Sequence, residues 1–197
     1  MKVEQFVMAY RVEQDRLRAF LPDGYESLRP ILRINVEIRR GKEESVYVEF
    51  NTPVAAFGKR GWLNISNWES PVIDISYKRD GNAVIFTSPF LEITYKRVGI
   101  EGGCPAEKDN DGCFFIGEKI EFREKGIIKV NKEFCDCKFE WKFAEGNARG
   151  ISIGDKSVAV EATKPEKAYE REEFSARTAA AIECMQIVGS YALSFER

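Results

Sequence analysis

The sequence predicts a β-rich α+β protein in which an antiparallel sheet, curled into a barrel or cone, packs with a short N-terminal helix and a long C-terminal helix. Three observations predict this class. Short runs of alternating apolar and polar residues recur along the chain, turn-forming residues separate them, and only two segments show helical spacing. The 197 residues, 44% of them apolar, can form one sizeable core, so we expect a single domain over residues 1–197.

The predicted strands are short runs rich in β-branched and aromatic residues, several of them bounded by turn signals such as Glu145-Gly146-Asn147. They are Gln5–Tyr10, Leu28–Ile38, Val46–Val54, Gly61–Asn67, Val72–Lys78, Ala83–Phe86, Leu91–Val98, Lys119–Glu124, Ile127–Val130, Phe134–Phe143, Ala148–Ile153 and Ser157–Ala162. The long connection between Gly99 and Gly112 contains four glycines and exceeds an ordinary hairpin, which favours a lid or binding loop.

Two segments have helical spacing. Val12–Leu21 predicts a short helix that Pro22-Asp23-Gly24 ends. Near the C-terminus, Thr163-Lys164-Pro165-Glu166 has the pattern of a capping box. From Phe174 onward, apolar or small residues recur at helical spacing up to Ala192, which predicts a long final helix with one face on the sheet.

Composition excludes several classes of function. Thirty basic and thirty-two acidic residues, mixed along the chain, give no electrostatic footprint for nucleic acid or an anionic membrane surface. The N-terminus lacks a signal-peptide pattern and no stretch is long enough for a membrane helix, so we expect a cytoplasmic protein. The chain has no histidine, the side chain most often used for acid–base catalysis near neutral pH.

The five cysteines leave a metal site as a minor alternative. Cys104, Cys113, Cys135 and Cys137 are enough thiolates for zinc, but a single residue separates the last two, unlike a zinc knuckle. The run 109–112 resembles the start of a calcium loop, yet the glutamate of that loop is misplaced. We therefore expect small buried side chains, reduced thiols, and neither metal nor cofactor.

A set of polar residues recurs on strands whose alternating neighbours are apolar. Alternation places residues 33, 35 and 37 on one face of their strand, and residues 49 and 51 on one face of the next. If that face is buried, it forms a polar pocket in which an arginine binds a carboxylate; if it is exposed, these are ordinary surface residues. The set comprises Arg33, Asn35, Glu37, Glu49, Asn51, Asn64 and Asn67.

Several motifs in the first half of the chain have an order and spacing that resemble those of acetoacetate decarboxylase-like proteins. They are Tyr10-Arg11-Val12, Leu21-Pro22, the run from Leu28 to Arg33, Tyr47-Val48-Glu49 and the run from Gly58 to Ile65. The resemblance implies a β-rich cone around an interior pocket. It also implies a lysine that forms a Schiff base with a β-keto acid, and a second lysine that lowers the pKa of the first so that its amine is neutral.

The resemblance carries over only in part. Glu49 matches a glutamate of the family's pocket, and Asn35 stands where the family has another glutamate. The family's lysine pair follows a proline, whereas here Pro71 is followed by Val72 and Ile73. Simple decarboxylation through that lysine is therefore not expected.

Lys96 is the candidate for a relocated catalytic lysine, because Arg97 beside it is a cation of the kind that lowers an amine pKa. Neighbouring strand residues point to opposite faces, however, and the alternative is that both are solvated charges at a strand edge. Lys78 beside Arg79 poses the same alternatives.

The function predicted is that of an acetoacetate decarboxylase-like protein that acts on or binds a small oxo-acid or β-keto acid. The alternatives are a non-catalytic protein that binds a small ligand, and a metal-binding structural domain. We expect self-association into a homo-oligomer, because exposed strand edges need covering. The predicted catalytic residues are Glu49 and Lys96, and the predicted substrate-binding residues are Arg33, Asn35, Asn51, Trp62 and Asn64.

Overall fold

The computed structural model describes residues 1–103, 110–122, 131–142, 148–151, 159–166 and 169–197. These residues form thirteen strands and two short helices. The strands are β1 Lys2–Arg11, β2 Glu26–Ser27, β3 Ile31–Arg40, β4 Glu44–Ala56, β5 Lys59–Glu69, β6 Ser76–Asp80, β7 Ala83–Thr87, β8 Leu91–Gly102, β9 Cys113–Ile116, β10 Lys119–Phe122, β11 Lys132–Trp141, β12 Ala148–Ile151 and β13 Gln186–Glu196. The helices are α1 Gln14–Arg18 and α2 Ala176–Ala180.

All strands belong to one sheet, in the order β10-β9-β5-β4-β3-β1-β13-β11-β8-β7-β6, with β12 beside β11 and β2 beside β4. Every pairing is antiparallel except that of β5 with β9. The prediction of a β-rich, largely antiparallel fold is confirmed. Among the described strands the order has two free ends, β10 and β6, so the sheet is open and does not close into a barrel.

The sheet curls until its two halves pack against each other. Phe6 of β1 contacts Phe86 of β7, with ring centroids 5.2 Å apart. Tyr10 lies 5.2 Å from Phe139 of β11 by the same measure. These rings belong to the largest apolar cluster, which draws residues from both halves of the sheet. Burial of this cluster supplies the main driving force for the curl.

Strand β3 shows how the curl buries both faces of the sheet. Its even-numbered residues, among them Ile34 and Val36, point into the largest apolar cluster. Its odd-numbered residues Arg33, Asn35 and Glu37 point to the opposite face and are also buried. We call this second side of β3, β4 and β5 the polar face. These side chains are therefore not ordinary surface residues.

The predicted long C-terminal helix is wrong. Ser175 caps the short helix α2, and the chain then forms strand β13, which lies between β1 and β11. Ten residue pairs connect β13 to β1, from Lys2 opposite Glu196 to Arg11 opposite Gln186. A central strand buried on both faces lacks the polar alternation that identifies a strand, so its small and apolar residues mimic a helical stripe.

The predicted N-terminal helix is confirmed but is shorter than predicted. Its polar residues explain why the capping box predicted at Thr163 does not form. Thr163 does not begin a helix; its backbone N–H and its hydroxyl both donate to Gln14 Oε1, at 2.6 and 3.1 Å. The backbone N–H of Glu166 donates to Asp15 Oδ2 at 3.1 Å. Side chains of α1 thus accept the hydrogen bonds of backbone N–H groups that the capping-box pattern predicted to lie at the start of a separate helix.

Other strand predictions differ at their ends. The strand predicted from Val72 begins only at Ser76, because residues 70–72 form a turn. Strand β8 continues to Gly102, into the connection predicted to be irregular, and β9 was not predicted. The prediction for Ile127–Val130 lies outside the described residues, as do residues 157 and 158 of the predicted strand Ser157–Ala162. Residues 159–162 are described and form no strand, so that part of the prediction is wrong.

The described cysteines behave as small apolar side chains. Cys113, Cys135 and Cys137 are buried, and burial raises the pKa of the Cys135 thiol to about 12. Asp111, from the calcium-like run, pairs instead with Arg60 at 3.1 Å. The described residues contain no cluster of metal-ligating side chains. None of the helices in the described ranges is long and apolar enough to cross a membrane.

Tyr10→Phe is expected to stabilise the protein by about 1 kcal/mol. Tyr10 is fully buried, and within the described residues its hydroxyl has no hydrogen-bond partner, so the substitution removes an uncompensated polar group. Urea denaturation of both proteins measures the effect. Tyr47→Phe is the control: the Tyr47 hydroxyl has two partners, and its removal should destabilise.

A cluster of ion pairs around the buried residue Glu4 predicts acid sensitivity. Glu4 pairs with Arg79 at 2.6 Å, Arg97 at 3.2 Å and Arg40 at 3.4 Å. Burial alone would raise the pKa of Glu4, but the hydrogen bonds and charges of Arg79 and Arg97 outweigh it and lower that pKa from its ordinary value of 4.5. The stability it contributes is therefore fully present above pH 4.5 and is lost as pH falls through the lowered pKa.

Comparing the wild type with Glu4→Gln checks this. The difference in unfolding free energy should be largest at pH 6–7 and should shrink at about pH 3. An equal difference at both pH values would mean that the Glu4 charge does not stabilise the fold.

Candidate functional site

The carboxylate of Glu49 is the centre of the polar face. Asn35 and Asn51 donate their amide N–H groups to its Oε1, at 2.7 and 3.0 Å. Tyr47 and Asn64 donate to its Oε2, at 3.2 and 3.3 Å. Two oxygens offer about four acceptor positions, so these four donors occupy the carboxylate. They hold the Glu49 side chain in place.

Strand register brings these residues together. Asn35 of β3 lies directly opposite Glu49 of β4, and Asn51 lies opposite Asn64 of β5. Directly opposite side chains in an antiparallel pair are close enough to hydrogen-bond. An irregularity between Phe50 and Asn51 shifts the β4–β5 register, which lets Asn64 reach Glu49.

Tyr47 completes the group and was not among the predicted site residues. Its hydroxyl accepts from Asn64 at 3.1 Å while donating to Glu49. Burial raises the pKa of Tyr47 above its ordinary value, and the negative charge of Glu49 raises it further, so the phenol stays protonated. The Arg39 guanidinium lies 3.6 Å from the centre of its ring. The sequence feature that could have identified Tyr47 is its two-residue spacing from Glu49, which places both residues on one strand face.

Arg33 is a buried cation beside this group. Its side chain lies opposite Asn51 and two residues from Asn35 on the same face. The guanidinium carbon is 3.7 Å from the centre of the Trp62 ring and 6.0 Å from that of Phe114. Arg33 is only 6% exposed, and within the described chain it has no carboxylate partner and its Nε has no hydrogen-bond partner.

The residues of the site differ in exposure. Asn35 and Asn51 are buried, whereas Tyr47, Glu49 and Asn64 are partly exposed. Trp62, fully buried, forms an apolar wall behind Arg33.

Two members of the predicted polar set have other roles. Glu37 is buried and accepts from Arg39 at 2.8 Å, Gln5 at 2.9 Å and Arg197 at 3.3 Å. It thus connects β1, β3 and the C-terminal residue. Asn67 is exposed.

The structure does not bring Lys96 to Glu49. Lys96 is exposed on β8, where it lies between Ala83 of β7 and Asp136 of β11. Three strands, β11, β13 and β1, separate β8 from β3 in the sheet. Arg97 points to the other face and pairs with Glu133 at 2.5 Å, so its guanidinium does not share a face with the Lys96 amine. Lys78 is also exposed.

The residues that replace the family's lysine pair also lie apart from the polar face. Val72, 87% exposed, lies in the turn after β5, and Ile73 packs against the largest apolar cluster. The hydrogen bonds that Glu49 accepts within the described residues come from asparagines and a tyrosine. A lysine is not among these donors.

No protein-family model matches the sequence, and no curated protein matches it. Solved structures do. Acetoacetate decarboxylase from Legionella pneumophila subsp. pneumophila str. Philadelphia 1 is similar with a TM-score of 0.58 and 12% sequence identity, over 98% of this chain and 81% of the other. This chain has the acetoacetate decarboxylase-like fold.

Two further structures with this fold are similar. The enduracididine biosynthesis enzyme MppR, in complex with pyruvate, has a TM-score of 0.57 and 11% identity, over 98% of this chain and 84% of the other. An acetoacetate decarboxylase-like enzyme from Sphingomonas wittichii RW1 has a TM-score of 0.52 and 8% identity, over 98% and 87%. The predicted resemblance is thus confirmed for the fold.

Proposed function

We propose that this protein binds a small carboxylated molecule, of the oxo-acid or β-keto-acid class, at the polar face and without forming a Schiff base. Arg33 is the residue that carries the proposal. A buried cation without a counter-charge costs several kcal/mol of folding free energy. Residues that carry such a cost are typical of functional sites. The Arg33 fork matches a carboxylate, and Trp62 holds the guanidinium in place.

The solved neighbours support the ligand class. MppR was solved with pyruvate, and acetoacetate decarboxylase acts, by its name, on a β-keto acid. These two neighbours share only the fold with this chain. They are the reason for proposing an oxo-acid, whereas Arg33 is the reason for proposing an anion. Residues 33, 35, 49, 51, 62 and 64 then form one binding site, with Tyr47 as an added member.

Binding is favoured over catalysis because of how Glu49 is held. A general base needs a free acceptor position to take a proton, and four donors already occupy this carboxylate. Glu49 instead organises three amide side chains around the ligand position. Catalysis through a lysine also lacks support, since Lys96 and Lys78 are exposed and lie outside the site.

Calorimetric titration with pyruvate and acetoacetate tests the proposal. We expect the wild type to bind at least one of them, and Arg33→Met to weaken that binding by tenfold or more, as expected for loss of a charged hydrogen bond. Arg11→Met, at an exposed position of β1, is the matched control and should bind like the wild type. Equal affinity of Arg33→Met and the wild type would overturn the proposal.

A further inference from the structure

The three asparagines that donate to Glu49 each carry a buried acceptor atom. Asn35, Asn51 and Asn64 each direct the amide nitrogen to Glu49. Within the described residues, the Oδ1 atom of each is buried and has no hydrogen-bond partner. Buried amide oxygens normally have a partner, so three in one site are a specific feature of this face.

The orientation of these amides follows from the carboxylate. Rotating any of them by half a turn would place its oxygen against a carboxylate oxygen, two acceptors in contact, and would lose the hydrogen bond. The nitrogens must therefore face Glu49 and the oxygens must face away from it. Because the carboxylate positions are already occupied, a donor that enters the site meets the amide oxygens.

We propose that the preferred ligand is a small amino acid, whose carboxylate binds Arg33 and whose ammonium group donates to the amide oxygens of Asn35, Asn51 and Asn64. This inference rests on the carboxylate binding at Arg33 in the proposed function, and goes beyond its oxo-acid class by assigning an amine to the other end of the ligand. An ammonium carries three donors and a positive charge, so it matches three acceptor oxygens close to the Glu49 charge. A keto oxygen only accepts, and at the same place it would face acceptors.

The charges of the site are complementary to those of a zwitterionic amino acid. Arg33 contributes a cation at one end and Glu49 an anion at the other, two residues apart along adjacent strands. The site is thus electrically balanced when an amino acid occupies it, whereas an oxo-acid leaves the negative end without a counter-charge.

Titration with matched ligand pairs tests the inference. Pyruvate is compared with alanine, and acetoacetate with 3-aminobutyrate, at pH 7 by calorimetry. We expect the amino member of at least one pair to bind tenfold or more tightly than its oxo partner. Glu49→Gln removes the negative charge and should reduce this preference to less than threefold, while Glu140→Gln, at an exposed position of β11, should preserve it.

The outcomes separate the two proposals. Tighter binding of the oxo-acids, or equal binding within both pairs, overturns the inference and leaves the proposed function in place. Absence of binding by all four ligands, with Arg33→Met indistinguishable from the wild type, overturns both. A preference for the amino ligand that Glu49→Gln leaves intact overturns the assignment to this site.

Discussion

Arg33→Met is expected to raise the unfolding free energy by about 1–2 kcal/mol while removing carboxylate binding. The guanidinium is buried without a carboxylate partner in the described chain, and it lies 3.7 Å from the centre of the Trp62 ring. We expect the cost of desolvating it to exceed the stabilisation from this contact. Methionine fills similar space without a charge. A substitution that stabilises the fold and removes binding indicates a residue kept for function.

Urea denaturation in the absence of ligand measures this effect, and Arg11→Met again serves as the exposed control. That control should change stability by less than about 0.5 kcal/mol. A loss of 2 kcal/mol or more in Arg33→Met would contradict the account, because it would show that Arg33 holds the fold together.

Glu49→Leu is expected to destabilise the protein by about 3–4 kcal/mol. The carboxylate accepts hydrogen bonds from four side chains, and its removal leaves the buried amide N–H groups of Asn35 and Asn51 without partners. Each such group costs about 1–3 kcal/mol, and the partly exposed Tyr47 and Asn64 cost less because water replaces the lost acceptor.

The matched control is Glu140→Leu, which removes an exposed glutamate from β11. Urea denaturation of both variants compares the two positions directly. If Glu49→Leu costs no more than Glu140→Leu, then Glu49 does not organise the polar face.

The alternation in β3 and β4 was enough to predict which residues share a face, but not whether that face is buried. Arg33, Asn35, Glu49 and Asn51 do lie together, as expected from their two-residue spacing. Both faces of a central strand are covered in this fold, so polarity alone did not distinguish a buried polar row from a surface. Only the packing of Trp62 and its neighbours decides this.

The C-terminal strand shows the opposite failure. Residues 186–196 have buried side chains on both faces, and Gly189 and Ala192 interrupt the aromatic residues, so the pattern favoured a helix. Pairing with β1 connects the two ends of the chain and overrides that local preference. Pairing between strands so far apart in the sequence cannot be predicted from a short segment of the chain.

The resemblance in the first half was informative because the order of several ordinary motifs is specific even when each motif is common. It predicted the fold correctly, and its match of Glu49 to a glutamate of the family's pocket stays a prediction. The expectation of a relocated catalytic lysine at Lys96 is not supported, because the structure places Lys96 on a distant strand. Whether a charged residue influences its charged neighbour in a site depends on which strand face each side chain lies on. The sequence alone does not determine which face lines the site.

Borohydride trapping distinguishes a site that binds a small carboxylate noncovalently from one that forms a Schiff base. The protein is incubated with saturating pyruvate or acetoacetate, reduced, and analysed by intact mass and peptide mapping, with a lysine-dependent acetoacetate decarboxylase trapped in parallel. We expect no adduct on this chain while the control is modified. A stoichiometric adduct on any lysine, Lys96 and Lys78 included, would show covalent catalysis and overturn noncovalent binding.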